Sequence, residues 1–252
     1  MKTAYFSPAK PRVFAHRGLT LGRFDENSLE ALTAAQSAGI QYFEIDVRTS
    51  SDAVIFVLHD QDLLRVAGDS RKVDQLTAAE LDSLVLKFGG KPLRLEAAFD
   101  HFPAARFNID LKTQSAIAGV RALVAMADAA GKNLSDRVLL TSFSDKTGRA
   151  ATRGLRVATS AGMRTTLLAR LCYSVSPLLA WLLRDVDALQ IPVRSARLRL
   201  DSQAFIRAVQ KHGVEVHYWT INDPAEAKRL VALGADGIIS DQADVIAAAL
   251  AE

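Results

Sequence analysis

The chain has 252 residues, of which 49% are hydrophobic and 23% are charged, so it can form one large core. A formal net charge of only +3 gives no sign of a chain-wide polyanion-binding surface and argues against a nucleic-acid partner. The single cysteine, Cys172, excludes an internal disulfide and fits a reducing compartment. Residues 1–12 lack the apolar core of a secretory signal, and no window reaches the ~18 apolar residues of a membrane span. A cytoplasmic location is therefore expected.

Predicted strands and helices alternate along the chain. Apolar and β-branched runs predict strands at residues 13–16, 41–48, 107–112, 138–142, 155–159, 188–191, 214–221 and 237–240. Between them, helices are predicted at residues 27–38, 95–102, 116–130, 145–153, 167–183 with a break at Pro177, 201–211, from Pro224, and 242–250. Asp201 and Asp223 are expected to cap two of these helices. A further strand, 54–58, follows 41–48 too closely for a helical crossover, which predicts an antiparallel hairpin.

Eight strands that alternate with helices predict a parallel sheet with right-handed crossovers. In one α/β domain of this length, residues 1–252, the pattern favours a (β/α)8 TIM-type barrel. A doubly wound open sheet is the alternative, although no glycine-rich dinucleotide motif follows the first strand. Residues 60–92 are polar and contain three glycines, so they are interpreted as a small insertion after strand two.

Two carboxylates, Glu44 and Asp46, interrupt the apolar strand 41–48. Residues two apart on a strand point to the same face, so both acids project together. Like charges in an apolar interior repel each other unless a cation or a shared proton intervenes. The alternative interpretation is that this face of the strand is exposed to solvent.

Other polar residues fall where predicted strands end, which is where barrel enzymes carry their active sites. These are His16, Arg17, His59, Asp60, Asp110, Lys112, Ser142, Gln190, Trp219, Ser240 and Asp241. The carboxylates Glu44, Asp46 and Asp110 have no cysteine nearby, and such oxygen ligands suit Mg2+ or Ca2+. Two histidines can act as general acid and base, and an arginine and a lysine can hold an oxyanion. Together these residue types indicate phosphoryl-ester chemistry.

The ordered set of motifs resembles the glycerophosphodiester phosphodiesterase family. It comprises His16-Arg17-Gly18, Glu26-Asn27-Ser28, Glu44-Ile45-Asp46-Val47, His59-Asp60 with Leu63-Leu64-Arg65, Asp110-Leu111-Lys112, Trp219-Thr220-Ile221-Asn222 and Gly237-Ile238-Ile239-Ser240-Asp241. These motifs span residues 12–241, nearly the whole chain. The resemblance implies a (β/α)8 barrel with a small insertion, which agrees with the count of strands.

The resemblance also implies a role for each site residue. His16 and His59 match the catalytic acid/base histidines, and Glu44 and Asp46 match metal ligands. Asp110 stands where a third carboxylate ligand, usually glutamate, is found. The substrate-binding positions that the family implies are Arg17 and Lys112, near the phosphate, and Trp219, which lines the cleft. The expected reaction is metal-dependent hydrolysis of a small glycerophosphodiester to sn-glycerol 3-phosphate and an alcohol, with Mg2+ or Ca2+ as cofactor.

The sequence is compatible with other functions. A lysophospholipase D could act on lysophospholipids with the same centre, and residues 167–183 form an apolar cluster beside a basic region that could contact a membrane peripherally. Packing of this cluster against the barrel is the preferred interpretation. A non-catalytic phosphoester-binding barrel and a generic phosphate-binding barrel are further alternatives. The sequence leaves open the leaving alcohol, the metal, the oligomeric state and which histidine is the acid.

Overall fold

Parallel strands form the centre of the computed structural model, which describes residues 3–195 and 198–251. In chain order the strands are β1 (Arg12–His16), β2 (Tyr42–Thr49), β3 (Ile55–Val57), β4 (Asp62–Leu63), β5 (Asp69–Lys72), β6 (Leu93–Arg94), β7 (Arg106–Leu111), β8 (Val138–Thr141), β9 (Ala158–Thr159), β10 (Ala188–Ile191), β11 (Arg194–Ser195), β12 (Leu198–Arg199), β13 (Glu215–Tyr218) and β14 (Gly237–Ser240). The α-helices are α1 (Leu29–Ser37), α2 (Leu64–Ala67), α3 (Ala78–Ser83), α4 (Leu95–His101), α5 (Ala116–Ala129), α6 (Asp145–Thr152), α7 (Met163–Cys172), α8 (Ser176–Leu183), α9 (Gln203–Gln210), α10 (Pro224–Ala232) and α11 (Ala243–Ala251).

Eight of the described strands pair in parallel in the order β10-β13-β14-β1-β2-β7-β8-β9. The two ends of this sheet meet where Ser160 forms a single parallel bridge with Ala188. There the Ala161 amide donates to the Ala188 carbonyl oxygen at 3.0 Å. The sheet is therefore a nearly closed barrel with helices between its strands, which confirms the predicted (β/α)8 fold and excludes the open sheet.

The barrel strands are buried because helices cover their outer faces. Seven of the eight residues of β2 are buried, as expected for a parallel strand with both faces covered. On the outer side of β2 and β7, Phe43 and Phe107 pack edge to face with ring centres 5.8 Å apart. Phe99 of α4 joins them at 5.1 Å from Phe107. This aromatic packing stabilises the pair of strands that carries most of the charged site residues.

The predicted hairpin is confirmed, because β3 pairs antiparallel with β2. Residues 60–92 follow it and contain β4, α2, β5 and α3. Their apolar residues form a separate small cluster with Phe56 and Leu58. No helix within the described ranges is long and apolar enough to cross a membrane.

Three predicted elements differ from the structure. The strand predicted at 155–159 is regular only at β9, since it pairs with β8 over two residues. The predicted helix 167–183 is two helices. Pro177 is the second residue of α8, in the first turn, where a backbone amide has no partner within the helix. The cap of α9 is Ser202 rather than Asp201, since the Ser202 hydroxyl accepts from the Phe205 amide. The Asp201 carboxylate instead accepts hydrogen bonds from two arginines of neighbouring segments.

Gly18 sets the distance between the end of β1 and helix α1. It adopts φ +84°, and a β-carbon there would lie 2.7 Å from the carbonyl carbon of Ala31. The next amide, that of Leu19, donates to the Ala31 carbonyl oxygen at 2.9 Å. The third residue of the His-Arg-Gly motif is therefore glycine because the chain passes against the helix backbone.

We expect Gly18→Ala to destabilise the protein more than Gly22→Ala does. Both glycines have positive φ, but a β-carbon at position 22 would meet nothing within 4 Å, so the second variant measures the backbone effect alone. Overpacking at position 18 should cost an additional ~1–3 kcal/mol in the free energy of unfolding. Urea denaturation of the two variants measures this difference, and equal losses would contradict the steric explanation.

Candidate active site

The predicted site residues meet around one cavity at the carboxyl ends of the barrel strands. The cavity has a volume of about 480 Å3. All eight residues to which the resemblance assigns a role line it: His16, Arg17, Glu44, Asp46, His59, Asp110, Lys112 and Trp219. Tertiary structure thus brings together residues that are up to 203 positions apart in the chain, from His16 to Trp219.

The register between β2 and β7 places the carboxylates side by side. Asp46 lies opposite Asp110, and Glu44 lies opposite Asn108. The Lys112 ammonium bridges the first pair, at 2.7 Å from Asp46 Oδ1 and 2.6 Å from Asp110 Oδ2. Asp46 and Asp110 are almost fully buried, and the Lys112 side chain is 16% exposed, so each charge requires a partner.

Arg17 holds the other side of Asp46. Its Nε lies 3.0 Å from Asp46 Oδ2, an oxygen that also accepts from the Asn27 amide at 3.1 Å. Arg17 and Asn27 both have φ +58°, a conformation that is uncommon for residues other than glycine. The loop after β1 therefore accepts backbone strain at the two residues that contact Asp46.

These contacts separate the pKa values of the three carboxyls. Burial, together with the neighbouring Asp46, raises the pKa of Glu44 to about 8. Burial opposes ionisation of Asp46 as well, but Lys112 and Arg17 outweigh it and lower the Asp46 pKa below its ordinary value. Burial raises the pKa of Asp110 despite the contact with Lys112. Three carboxyls share two cations, so the cluster has an excess of negative groups.

Each histidine has an aspartate on its Nδ1 atom. His16 Nδ1 lies 2.6 Å from Asp241 Oδ1, and His59 Nδ1 lies 2.7 Å from Asp60 Oδ1. Burial lowers the pKa of His16, but the hydrogen bond with Asp241 and the charge of Glu44 outweigh it and raise the pKa above its ordinary value. The aspartates orient both rings and leave Nε2 of each available for chemistry.

Asp241 and Asp60 are themselves held in place. Asn222 donates to Asp241 Oδ2 at 2.8 Å, and Arg65 Nε donates to Asp60 Oδ2 at 2.6 Å. The two terminal nitrogens of Arg65 donate to the carboxylate of Glu26, each at 2.7 Å. Glu26 in turn accepts from Arg17 at 3.0 Å. Residues of the predicted insertion thus connect His59 to Arg17 through a continuous chain of ion pairs.

The cavity has a second, apolar side. It is formed by Phe143, Met163, Leu167, Ile191, Leu200 and Trp219. The Trp219 and Phe143 rings meet edge to face with centres 5.9 Å apart. A ligand that fills the cavity would therefore place one end among charges and the other end against aromatic and aliphatic side chains.

The oxygen donors of the site suit a hard divalent cation. Glu44 Oε2, Asp110 Oδ1 and Asn108 Oδ1 are buried and accept no hydrogen bond among the described residues. Such atoms are costly unless a cation or water reaches them. However, no three His, Cys, Asp or Glu side chains within residues 3–195 and 198–251 converge as a metal cluster. Both oxygens of Asp46 are instead paired, Oδ2 with Arg17 and Oδ1 with Lys112.

Several residues of the site were not predicted as such. Asn108 could have been found, because it lies two positions before Asp110 on the same strand face. Glu26 and Asn27 are part of the Glu26-Asn27-Ser28 motif without an assigned role, and the structure shows that Ser28 caps α1. Arg65 belongs to the Leu63-Leu64-Arg65 part of the motif set but was assigned no role, since its role depends on the folding of residues 60–92 against the barrel. His217 is fully buried beside Glu215, and His101 is exposed on α4.

A barrel with paired histidines, buried carboxylates and two cations around one cavity defines an enzyme of phosphoester chemistry. The glycerophosphoryl diester phosphodiesterase family matches residues 16–245. A Mycobacterium tuberculosis protein named probable glycerophosphodiester phosphodiesterase 2 is 36% identical over 239 residues, which cover 92% of this chain and 88% of the relative. The chain therefore belongs to the glycerophosphoryl diester phosphodiesterase family, and it is an enzyme that hydrolyses phosphoric diesters.

Two further proteins resemble the chain more distantly. Human lysophospholipase D GDPD3 is 22% identical over 263 residues, which cover 91% of this chain and 82% of the relative. An Oleispira antarctica phosphodiesterase, solved in complex with the product sn-glycerol-3-phosphate, has the same fold with a TM-score of 0.75. Its identity is 23%, and the match covers 96% of this chain and 97% of that one.

We expect Arg65→Met to lower kcat/KM by about 10- to 100-fold, because loss of the guanidinium frees both Asp60 and Glu26 and small displacements of catalytic groups are costly. Arg71→Met is the matched control, since Arg71 is equally exposed and pairs with Asp69 in the same segment. The pH profile of kcat/KM should also change for the Arg65 variant, as His59 loses its oriented partner. Identical kinetics in the two variants would contradict a positioning role.

Proposed function

We propose that the enzyme hydrolyses glycerophosphodiesters to sn-glycerol 3-phosphate and an alcohol, with a divalent cation as cofactor and His16 and His59 as the acid/base pair. The observation that carries this proposal is the presence of two aspartate-oriented histidines on the rim of one cavity that also contains Arg17 and Lys112. Hydrolysis of a diester needs a proton removed from water and a proton given to the leaving alcohol, and two histidines supply both.

Arg17 and Lys112 are the groups that would bind the phosphate. The arginine guanidinium presents donors in a planar arrangement that matches phosphate oxygens, and the lysine ammonium adds a compact charge. Both lie in the interior, where charge stabilisation of a developing oxyanion is stronger than in water. One histidine would accept the proton of the attacking water while the other protonates the departing alkoxide.

Glu44, Asp46 and Asp110 are the carboxylates that would hold the cation, which is Mg2+ or Ca2+ in this proposal. When bound, the cation would polarise a phosphate oxygen and neutralise its charge. Support comes from the unpartnered buried oxygens of Glu44 and Asp110 and from the pKa of Glu44, which burial and the neighbouring carboxylate of Asp46 raise.

A second candidate substrate class, lysophospholipids, is favoured by the apolar side of the cavity. Phe143, Met163 and Leu167 offer a surface that a small polar alcohol such as choline would not use. A single acyl chain could lie against it while the phosphodiester reaches the charged end. The same centre would then act as a lysophospholipase D, and the bond cleaved would be of the same type.

We expect His16→Ala and His59→Ala each to reduce kcat by about 10²- to 10⁴-fold, because each removes one proton-transfer group. The measurement is release of glycerol 3-phosphate from glycerophosphocholine. His101→Ala serves as the control, since His101 lies on the exposed side of α4, where its ring contacts the Ala97 carbonyl oxygen and Phe102. Full activity of either site variant would refute the assigned chemistry.

We expect chelation by EDTA to abolish activity and added Mg2+ or Ca2+ to restore it. Asp110→Asn should weaken the binding of these cations, measured by calorimetric titration of the EDTA-treated protein, by about 10-fold or more because one anionic ligand is lost. Asp100→Asn is the control, as this exposed carboxylate pairs with Lys132 far from the cavity. Activity that survives EDTA would exclude the cation from the mechanism.

A further inference from the structure

The outer surface of α7 and α8 carries an unusual concentration of exposed apolar side chains. Among the described residues, fourteen large apolar side chains are exposed, and seven of them lie within residues 163–181. We call these seven the apolar ridge: Met163, Leu167, Leu168, Leu171, Val175, Leu178 and Trp181. A surface with this much apolar area is typical of an interaction site.

Helix α7 exposes the large apolar side chains that an ordinary barrel helix turns inward. Its only fully buried residue is the small Ala169, whereas Met163, Leu167 and Leu171, each four positions apart, lie on the exposed face. A barrel helix normally turns its large apolar residues inward. Packing against the barrel therefore explains Leu179 and Leu183 of α8, which are buried, but not the leucines of α7.

The apolar ridge is continuous with the active-site cavity. Met163 and Leu167 belong to the ridge and also line the cavity. Phe143, which lies against Trp219 inside the cavity, is itself 57% exposed. The ridge therefore borders the mouth through which substrate must enter.

Positive charge lies next to the ridge. A groove of about 750 Å3 is lined by Arg149, Arg153, Arg184 and the ridge residue Trp181. The Arg184 guanidinium lies 5.3 Å from the centre of the Trp181 ring. The groove also contains Asp145, which accepts from the Arg164 and Thr165 amides, and Asp185, which contacts Arg184 at 3.2 Å, so three arginines face two aspartates. Residues 149–211 contain 11 Lys or Arg against 3 Asp or Glu, so the region is strongly basic.

We propose that the apolar ridge and the adjacent arginine groove bind the surface of a lipid bilayer that contains anionic phospholipids. Leucine, methionine and tryptophan side chains enter the boundary between headgroups and acyl chains, and arginines contact the phosphates. Helices of ten and eight residues lie on such a surface without crossing it. A second copy of the chain fits this surface less well, because a symmetric contact would bring the arginine grooves together and like charges would repel.

Bound in this way, the mouth of the cavity would face the lipid. A lysophospholipid could then move its headgroup to the charged end while its acyl chain remains in contact with apolar side chains. Use of a lysophospholipid from the bilayer rests on the proposed function, whereas binding to the bilayer does not. Either proposal can therefore fail without the other.

The test is co-sedimentation of the full chain with vesicles of phosphatidylcholine alone and of equal parts phosphatidylcholine and phosphatidylglycerol. The protein should bind the anionic vesicles more strongly, and added salt should weaken binding because charges at the surface are screened. Leu171→Glu should lower partitioning into anionic vesicles by about tenfold or more, since a charge replaces an inserted apolar side chain. Met126→Glu is the matched control, because Met126 is 64% exposed on α5 and Leu171 is 65% exposed.

Activity and oligomeric state complete the experiment. Leu171 does not line the catalytic cavity, so Leu171→Glu should hydrolyse soluble glycerophosphocholine as well as the unaltered enzyme does, which also shows that it folds. Absence of binding to anionic vesicles, or equal binding by Leu171→Glu, would overturn the proposal. So would a dimer detected by light scattering that Leu171→Glu dissociates. Vesicle binding without hydrolysis of any glycerophosphodiester would overturn only the proposed function.

Discussion

The buried contact between Asp46, Lys112 and Arg17 is the interaction on which the site depends. Asp46 lies on β2, Lys112 follows β7, and Arg17 follows β1, so one carboxylate joins three neighbouring strands. A buried charge costs several kcal/mol unless it is paired with good geometry. The parallel register of the strands supplies that geometry, because it places Asp46 opposite Asp110 and beside the Arg17 loop.

The Arg17 and Lys112 side chains have two functions in this site. They neutralise carboxylates in the protein, and in the proposed reaction they also contact the phosphate. Glu44, Asp46 and Asp110 outnumber Arg17 and Lys112. Burial raises the pKa of Glu44, and this excess of negative charge raises it further. A divalent cation would relieve this excess and would leave the arginine and the lysine freer to bind an anionic substrate.

Two groups of residues border the charged centre of the site, one on each side. Residues 60–92 contribute Arg65, which links Asp60 to Glu26 and so couples His59 to Arg17. On the opposite side, Met163 and Leu167 give the cavity an apolar border that continues onto the outer surface. The charged centre accounts for phosphodiester chemistry in general, while these two borders would select which diester reaches it.

Much of the fold and the centre of the site could be predicted from the sequence. Alternation of strands and helices is a local property, and so is the same-face spacing of Glu44 with Asp46 and of Asp110 with Lys112. The carboxyl ends of parallel strands meet at one end of a barrel, so His16, His59 and Trp219 could be placed together without coordinates.

Other features depend on distant contacts and appear only in the tertiary structure. The aspartate partners of the histidines, the bridge from Arg65 to Glu26, and the engagement of Asp46 by two cations all join side chains far apart in sequence. The outward face of α7 is a further example, since the same leucines would fit a packed helix. Sequence periodicity shows that a helix is amphipathic, but only packing decides whether its apolar face meets the barrel or the solvent.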